Sequence, residues 1–132
     1  MVLSFIDSGV LIAAARGDSS RSQKALDILT DGDRIFGSSI FIRLEILPKS
    51  VCYKQTLEQE FYESFFEGVV HWMSDLDTLT QSAYELACTY GLSGFDALNV
   101  AAAILLKSDE FITTEKPTKP MYRVPNIQFM TV

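Results

Sequence analysis

Four acidic side chains stand where an α/β chain could bring them together. Asp7 directly follows the apolar run Val2 to Ile6, and Glu45 is almost alone among apolar neighbours. Asp96 falls in the first turn of a very apolar helix, and Glu115 follows Phe111-Ile112-Thr113-Thr114. Carboxylates that meet without a basic partner repel one another, a cost relieved when they hold a hard divalent cation such as Mg²⁺ or Mn²⁺. The natural task of such a cluster is hydrolysis of a phosphodiester by metal-activated water.

Each of the four also admits a purely structural role. Asp7 could accept the amides of a following helix. Ser93-Gly94-Phe95-Asp96 fits a capping box, in which the serine oxygen takes an amide three residues on and the acid returns the bond. Glu45 could pair with Arg43 or Lys49 at a solvated surface, and Glu115 could be surface charge beside Lys116. His71 is isolated and reads as an ordinary strand residue. The aromatic residues between Phe61 and Phe66 read as core and partner-facing surface.

The elements that must position these residues alternate along the chain. Val2 to Ile6 is a buried strand, Val10 to Ala15 a short helix, and Ala25, Leu26, Ile28 and Leu29 the inner stripe of a helix capped at Ser19 or Ser20. Arg34 to Gly37 is a second strand, and strand, helix and strand in this span make a parallel crossover unit. Residues 38 to 47 lean towards helix and end at Pro48, with a loop from Pro48 to Thr56. Leu57, Phe61, Phe65 and Phe66 then mark an amphipathic helix closed at Gly68. Val69 to Met73 is a third strand, followed by a helix from Asp75 or Asp77 to Gly91 and by an apolar helix from Ala97 to Leu106 that must pack on more than one side. Glu110 to Thr113 and Ile127 to Met130 are the last strands, separated by a Pro/Lys-rich loop. The pattern calls for a single domain over residues 1–132, a three-layer α/β/α arrangement with a mainly parallel sheet of about five strands.

Composition sets bounds on this reading. The 132 residues are 48% hydrophobic, which excludes a disordered chain. No apolar run approaches the roughly 20 residues that span a bilayer, so a soluble cytoplasmic protein without membrane association is expected. Cys52 and Cys88 have no neighbouring thiol or histidine and are expected to be buried or half-buried free thiols. Eleven basic against 17 acidic residues give a net charge of −6, and no dense basic tract exists. That balance argues against avid nonspecific nucleic-acid binding, but bound divalent cations would invert the sign locally.

The order of the motifs adds information. Ile6-Asp7-Ser8-Gly9-Val10-Leu11-Ile12, then Glu45, then Ser93-Gly94-Phe95-Asp96-Ala97-Leu98-Asn99-Val100-Ala101-Ala102-Ala103, then Phe111-Ile112-Thr113-Thr114-Glu115 resembles the PIN-domain family of metal-dependent ribonucleases, including the VapC-type toxins of toxin-antitoxin pairs. The resemblance covers essentially the whole chain. It implies cleavage of single-stranded RNA by water activated on Mg²⁺ or Mn²⁺, leaving 5′-phosphate and 3′-hydroxyl ends, with Asp7, Glu45, Asp96 and Glu115 as catalytic and metal-binding residues. Ser8, Thr114 and Asn99 would orient carboxylates or metal-bound water. Arg16, Lys49 or Lys116 would engage the RNA backbone from the rim. A homodimer, restrained by a small antitoxin, is the implied assembly. Where the family usually places Asp after the fourth strand, this chain has Glu115 followed by Lys116-Pro117.

A second reading, from a different class, is a PIN-like protein-interaction module that has lost cleavage. A phosphotransfer receiver or haloacid-type phosphatase is disfavoured, because Asp7 lacks the second acid that either would place beside it.

Overall fold

The computed structural model describes all 132 residues and contains one five-stranded sheet. Its elements are β1 (Val2–Ile6), α1 (Ser8–Arg16), α2 (Ser22–Leu29), β2 (Arg34–Ser39), α3 (Ile40–Cys52), α4 (Thr56–Glu67), β3 (His71–Met73), α5 (Leu76–Tyr90), α6 (Gly94–Leu105), β4 (Glu110–Thr113), a short 3₁₀ turn (Pro120–Arg123) and β5 (Gln128–Thr131). All strand pairs are parallel, in the order β3-β2-β1-β4-β5. This is the three-layer α/β/α architecture that the alternation of elements predicts.

Parallel strands are joined by right-handed crossovers, and the strand order therefore decides where the helices go. The chain steps outward from β1 through β2 to β3, placing α1 to α4 on one face. It then returns past β1 to β4 and β5, carrying α5 and α6 over the other. The packing follows this division: α1 lies against α2 and α4, α3 against α4, and α5 against α6. Neighbouring strands β1 and β4 lead their connections in opposite directions, and such a switch point opens a crevice outside the carboxyl ends of the strands.

Both central strands are covered on each face, so they read as continuous apolar runs. Phe5, Ile6, Phe111 and Ile112 are fully buried, and the Phe5 and Phe111 rings stack at 5.5 Å. The apolar helix α6 buries Ala97, Val100, Ala101, Ala102 and Ala103, as a helix clasped between sheet and α5 must.

Several local expectations are corrected. Helix α3 does not stop at Pro48 but runs through it to Cys52. Pro48 lacks the amide that would bond the carbonyl of Leu44, and both residues are exposed, so water can serve the freed carbonyl while Ile46 and Ser50 stay buried on the inner side. Its cap is Ser39, whose hydroxyl accepts from the Ile42 amide at 3.4 Å. Helix α2 is not capped by Ser19 or Ser20; Arg21 occupies the cap position without a side-chain bond, and Ser22 Oγ accepts from the Ser19 amide. Leu57 is 83% exposed, because the first turn of α4 meets α1 through Glu58, which binds Arg16 at 2.7 Å. Cys52 and Cys88 are free thiols as expected but exposed rather than buried. Cys52 ends α3, and Cys88 lies on α5 one turn from the exposed Tyr84. No single helix is long and apolar enough to cross a membrane.

Candidate active site

Asp7 sits at the mouth of the switch-point crevice. The ladder between β1 and β4 aligns Ile6 with Ile112, and the Asp7 amide continues it by donating to the Ile112 carbonyl at 2.9 Å. The next residues on the two strands, Asp7 and Thr113, are therefore level. Thr113, fully buried, donates its hydroxyl to Asp7 Oδ2 at 2.8 Å. Asp7 Oδ1 accepts the Ser8 amide at 2.9 Å, which makes Asp7 the N-cap of α1 as well.

Neither bond offsets the cost of burying this carboxylate. Asp7 is 9% exposed, and burial pushes its pKa up to about 6, against the opposing pull of the Thr113 and Ser8 bonds. The negative charges of Glu45 and Asp96 raise it further. Glu45 on α3 and Asp96 on α6 thus each act electrostatically on Asp7, and no cationic side chain of the protein is paired with any of the three.

The remaining acids are disposed differently. Glu45 makes no ion pair with Arg43 or Lys49, and its Oε2 is buried without a hydrogen-bond partner. Asp96 is half-buried and gives its amide to Ser93 Oγ at 3.4 Å, but its carboxylate does not return the bond. The capping box is half-formed and the Asp96 carboxylate is left over. Asn99, one turn on, is 4% exposed with an unpartnered Oδ1. Glu115 stands at the rim, where its carboxylate is 3.7 Å from Lys119 Nζ. Its backbone is well held, the amide donating to Thr113 Oγ1 at 3.1 Å and the carbonyl accepting from the Tyr122 hydroxyl at 3.0 Å. Ser8 touches Asp7 through its amide, and Thr114 packs against Gly9. His71 is exposed on the edge strand β3, away from the switch point.

No protein-family model and no curated protein matches the chain by sequence. Solved structures do match it over nearly its full length. A chain of VapBC2 from Rickettsia felis, solved bound to a DNA fragment from their promoter, superposes with a TM-score of 0.72 at 16% identity, covering 99% of both chains. A toxin-antitoxin complex from Klebsiella pneumoniae gives 0.68 at 20% identity over 94% of both. VapBC-1 from nontypeable Haemophilus influenzae gives 0.69 at 14% identity over 98% of both.

The fold is PIN-like.

In this PIN-like chain the donor set is all oxygen, suited to Mg²⁺ or Mn²⁺ rather than to a thiophilic metal. The orphaned oxygens of Glu45 and Asn99 and the mutual repulsion at Asp7 fit a divalent cation. As the side chains stand, however, no three of the His, Cys, Asp and Glu residues form a cation-binding cluster. One residue that orders the site, Thr113, is not among those picked out by reading the sequence, which favours Thr114. The signal for it is register: Ile-Asp at the end of β1 and Ile-Thr at the end of β4 align only once the strands are paired.

Proposed function

We propose that this chain is a metal-dependent endoribonuclease of the VapC kind, the toxin of a toxin-antitoxin pair, cleaving single-stranded RNA in the cytoplasm as a homodimer. The observation that carries the reading is Asp7, a buried carboxylate at the switch point whose pKa is pushed to about 6 in the company of Glu45 and Asp96, with no side-chain cation to offset them. Carboxylates with pKa values raised by burial and by like charges cluster at functional sites, which supports the reading. The likeness to toxin-antitoxin complexes supports a small antitoxin as the partner.

When bound, Mg²⁺ or Mn²⁺ supplies Lewis acidity and lowers the pKa of attacking water. Asp7, Glu45 and Asp96 would hold it, with Glu115 the fourth candidate once released from Lys119. Each Asp7 oxygen accepts one protein hydrogen bond and so keeps a lone pair for a ligand. Thr113 and the Ser8 amide fix the plane of that carboxylate. Asn99 Oδ1, and the hydroxyls of Ser8 and Thr114, are the groups available to orient water beside it. No side chain needs to act as a nucleophile.

A second reading has one observation in its favour. Glu115 is turned to Lys119 and no three acids converge, as expected of a PIN-like interaction module that no longer cleaves. One experiment separates the two. Wild type, Asp7→Asn and Asp96→Asn are incubated with mixed single-stranded RNA in Mn²⁺, Mg²⁺ or EDTA, and the fragment ends are mapped. The nuclease reading expects 5′-phosphate ends from wild type alone, lost in EDTA. An Asp96→Asn variant that cleaves normally would remove the Asp96 carboxylate from the catalytic set, since that carboxylate makes no capping bond whose loss could mask the result. Inactivity of all three with no Mn²⁺ binding would favour the module.

A further inference from the structure

Beside the acidic centre the fold assembles a basic cleft that no stretch of sequence contains. It has a volume of about 310 Å³ and is lined by Arg21, Thr114, Glu115, Lys116, Thr118 and Lys119, without one apolar side chain. Arg21 comes from the start of α2 and the others from the segment after β4, brought together at the carboxyl end of the sheet. Through Arg21 and Thr114 the cleft continues into a second, of about 440 Å³, that reaches Gly9. Gly9 is two residues from Asp7, and Thr114 follows the Thr113 that binds Asp7. The absence of a side chain at Gly9 is what lets Thr114 sit there, since a Cβ would lie 2.3 Å from its hydroxyl oxygen.

The charges in the cleft are not all available. Lys119 is engaged by Glu115, and the neighbouring Arg16 is engaged by Glu58 at 2.7 Å. Arg21 and Lys116 have no carboxylate within ion-pair distance. In a protein of net charge −6, Arg21 and Lys116 are brought from remote parts of the chain into one cleft with hydroxyl donors, a lining suited to an anion. Around Lys116 the cleft has no apolar lining, and its continuation adds only Ile12 and Ala13, which argues against a peptide, whose binding needs apolar anchors. Arginine and lysine with hydroxyl donors are the groups that position nucleic-acid phosphates.

We propose that Arg21 and Lys116 form a phosphate-binding subsite for the RNA backbone next to the scissile position, with the hydroxyls of Thr114 and Thr118 as neutral donors. This assignment rests on the ribonuclease reading for its ligand, and it changes the rim residues expected from sequence: Arg16 is replaced by Arg21. The subsite positions the strand and does no chemistry.

The test uses fluorescent single-stranded RNA and two readouts. Binding is titrated with salt for Asp7→Asn protein, alone and carrying Arg21→Gln, Lys116→Gln or both, with Lys107→Gln, before β4 at the opposite end of the sheet, as the control. Each lost phosphate contact should reduce the slope of log affinity against log salt by about 0.7, so the double variant should lose about 1.4. If the contacts vanish at 1 M salt, that slope makes the double variant bind about 25-fold more weakly at 0.1 M. In cleavage by proteins with Asp7 intact, the same substitutions should raise KM and leave kcat within about twofold, as loss of uniform binding does. Unchanged slope and KM in a protein that cleaves would overturn the subsite and leave the ribonuclease reading standing. Binding that follows the predicted slopes in a protein that never cleaves would keep the subsite and remove the nuclease. No binding of RNA at low salt by the Asp7→Asn protein would overturn the subsite, and only absence of cleavage by wild type would remove the nuclease.

Discussion

Removing the charge of Asp7 should make the metal-free protein more stable. With its pKa pushed up to about 6 from an ordinary 3.8, folding must work against ionisation of this group. Below pH 3.8 the carboxyl is neutral in both states and costs nothing. Between 3.8 and 6 the folded protein retains a proton that the unfolded chain has released, so stability falls as pH rises, and above 6 the full cost applies. At about 1.4 kcal/mol for each pH unit the cost is about 3 kcal/mol. Asp7→Asn removes the charge, and this cost is already net of the two charge-assisted bonds from the Ser8 amide and the Thr113 hydroxyl, whose pull is part of the shift to about 6. The variant should therefore gain up to about 3 kcal/mol at pH 7.5, or about 12 °C in Tm for a domain of this size, and come close to wild type at pH 4, where the folded carboxyl is already neutral. Urea denaturation in EDTA at pH 4, 5, 6 and 7.5 reads the difference directly. A difference that stays flat from pH 4 to 7.5 would mean that Asp7 bears no burial cost and would refute the reasoning.

Three further outcomes are expected. Millimolar Mn²⁺ should raise the Tm of wild type but not of Asp7→Asn or Asp96→Asn; a site filled at 100 times its Kd contributes about 2.7 kcal/mol, readable by thermal shift. Thr113→Val removes the hydroxyl that holds Asp7 ionised, a bond to a charged group worth about 1.5–3 kcal/mol, so the acidic limb of the cleavage pH profile should move up by about one to two pH units. Gly9→Ala should lose roughly 1 kcal/mol or more in a urea titration rather than gain the helix propensity of alanine, because its Cβ strikes Thr114, and adding Thr114→Ala should return most of that loss.

Much of the site is legible because it sits at the ends of elements that periodicity already marks. Asp7 ends an apolar run, and Asp96 follows a serine cap at the mouth of a helix too apolar to lie on the surface, so both were tied to the carboxyl edge of a parallel sheet. Thr113 is a different case. Its partnership with Asp7 depends on the register of two strands remote in the chain, and a slip of one residue exchanges it with Thr114. Pro48 reads as a stop because its local cost is large, but the cost falls on an exposed carbonyl and the buried side of α3 outweighs it. Burial of the thiols misled for the opposite reason: cysteine is usually buried, yet the helix positions of Cys52 and Cys88 turn them to water.

The segment from Thr113 to Tyr122 joins the two halves of the site. The Tyr122 hydroxyl donates to the Glu115 carbonyl, the Glu115 amide to Thr113 Oγ1, and the Thr113 hydroxyl to Asp7, a line of hydrogen bonds from loop to buried carboxylate. The same segment presents Lys116 and Lys119 to the basic cleft. On the proposed reading its side chains would meet the phosphate strand while its backbone and the Thr113 hydroxyl set the carboxylate, so a shift of the loop would alter both together. Under that proposal the arrangement would also let an acidic protein approach an anionic polymer. The carboxylates need not attract RNA if a few cations, placed by the fold and spared from ion pairs, hold the strand where those carboxylates meet a metal.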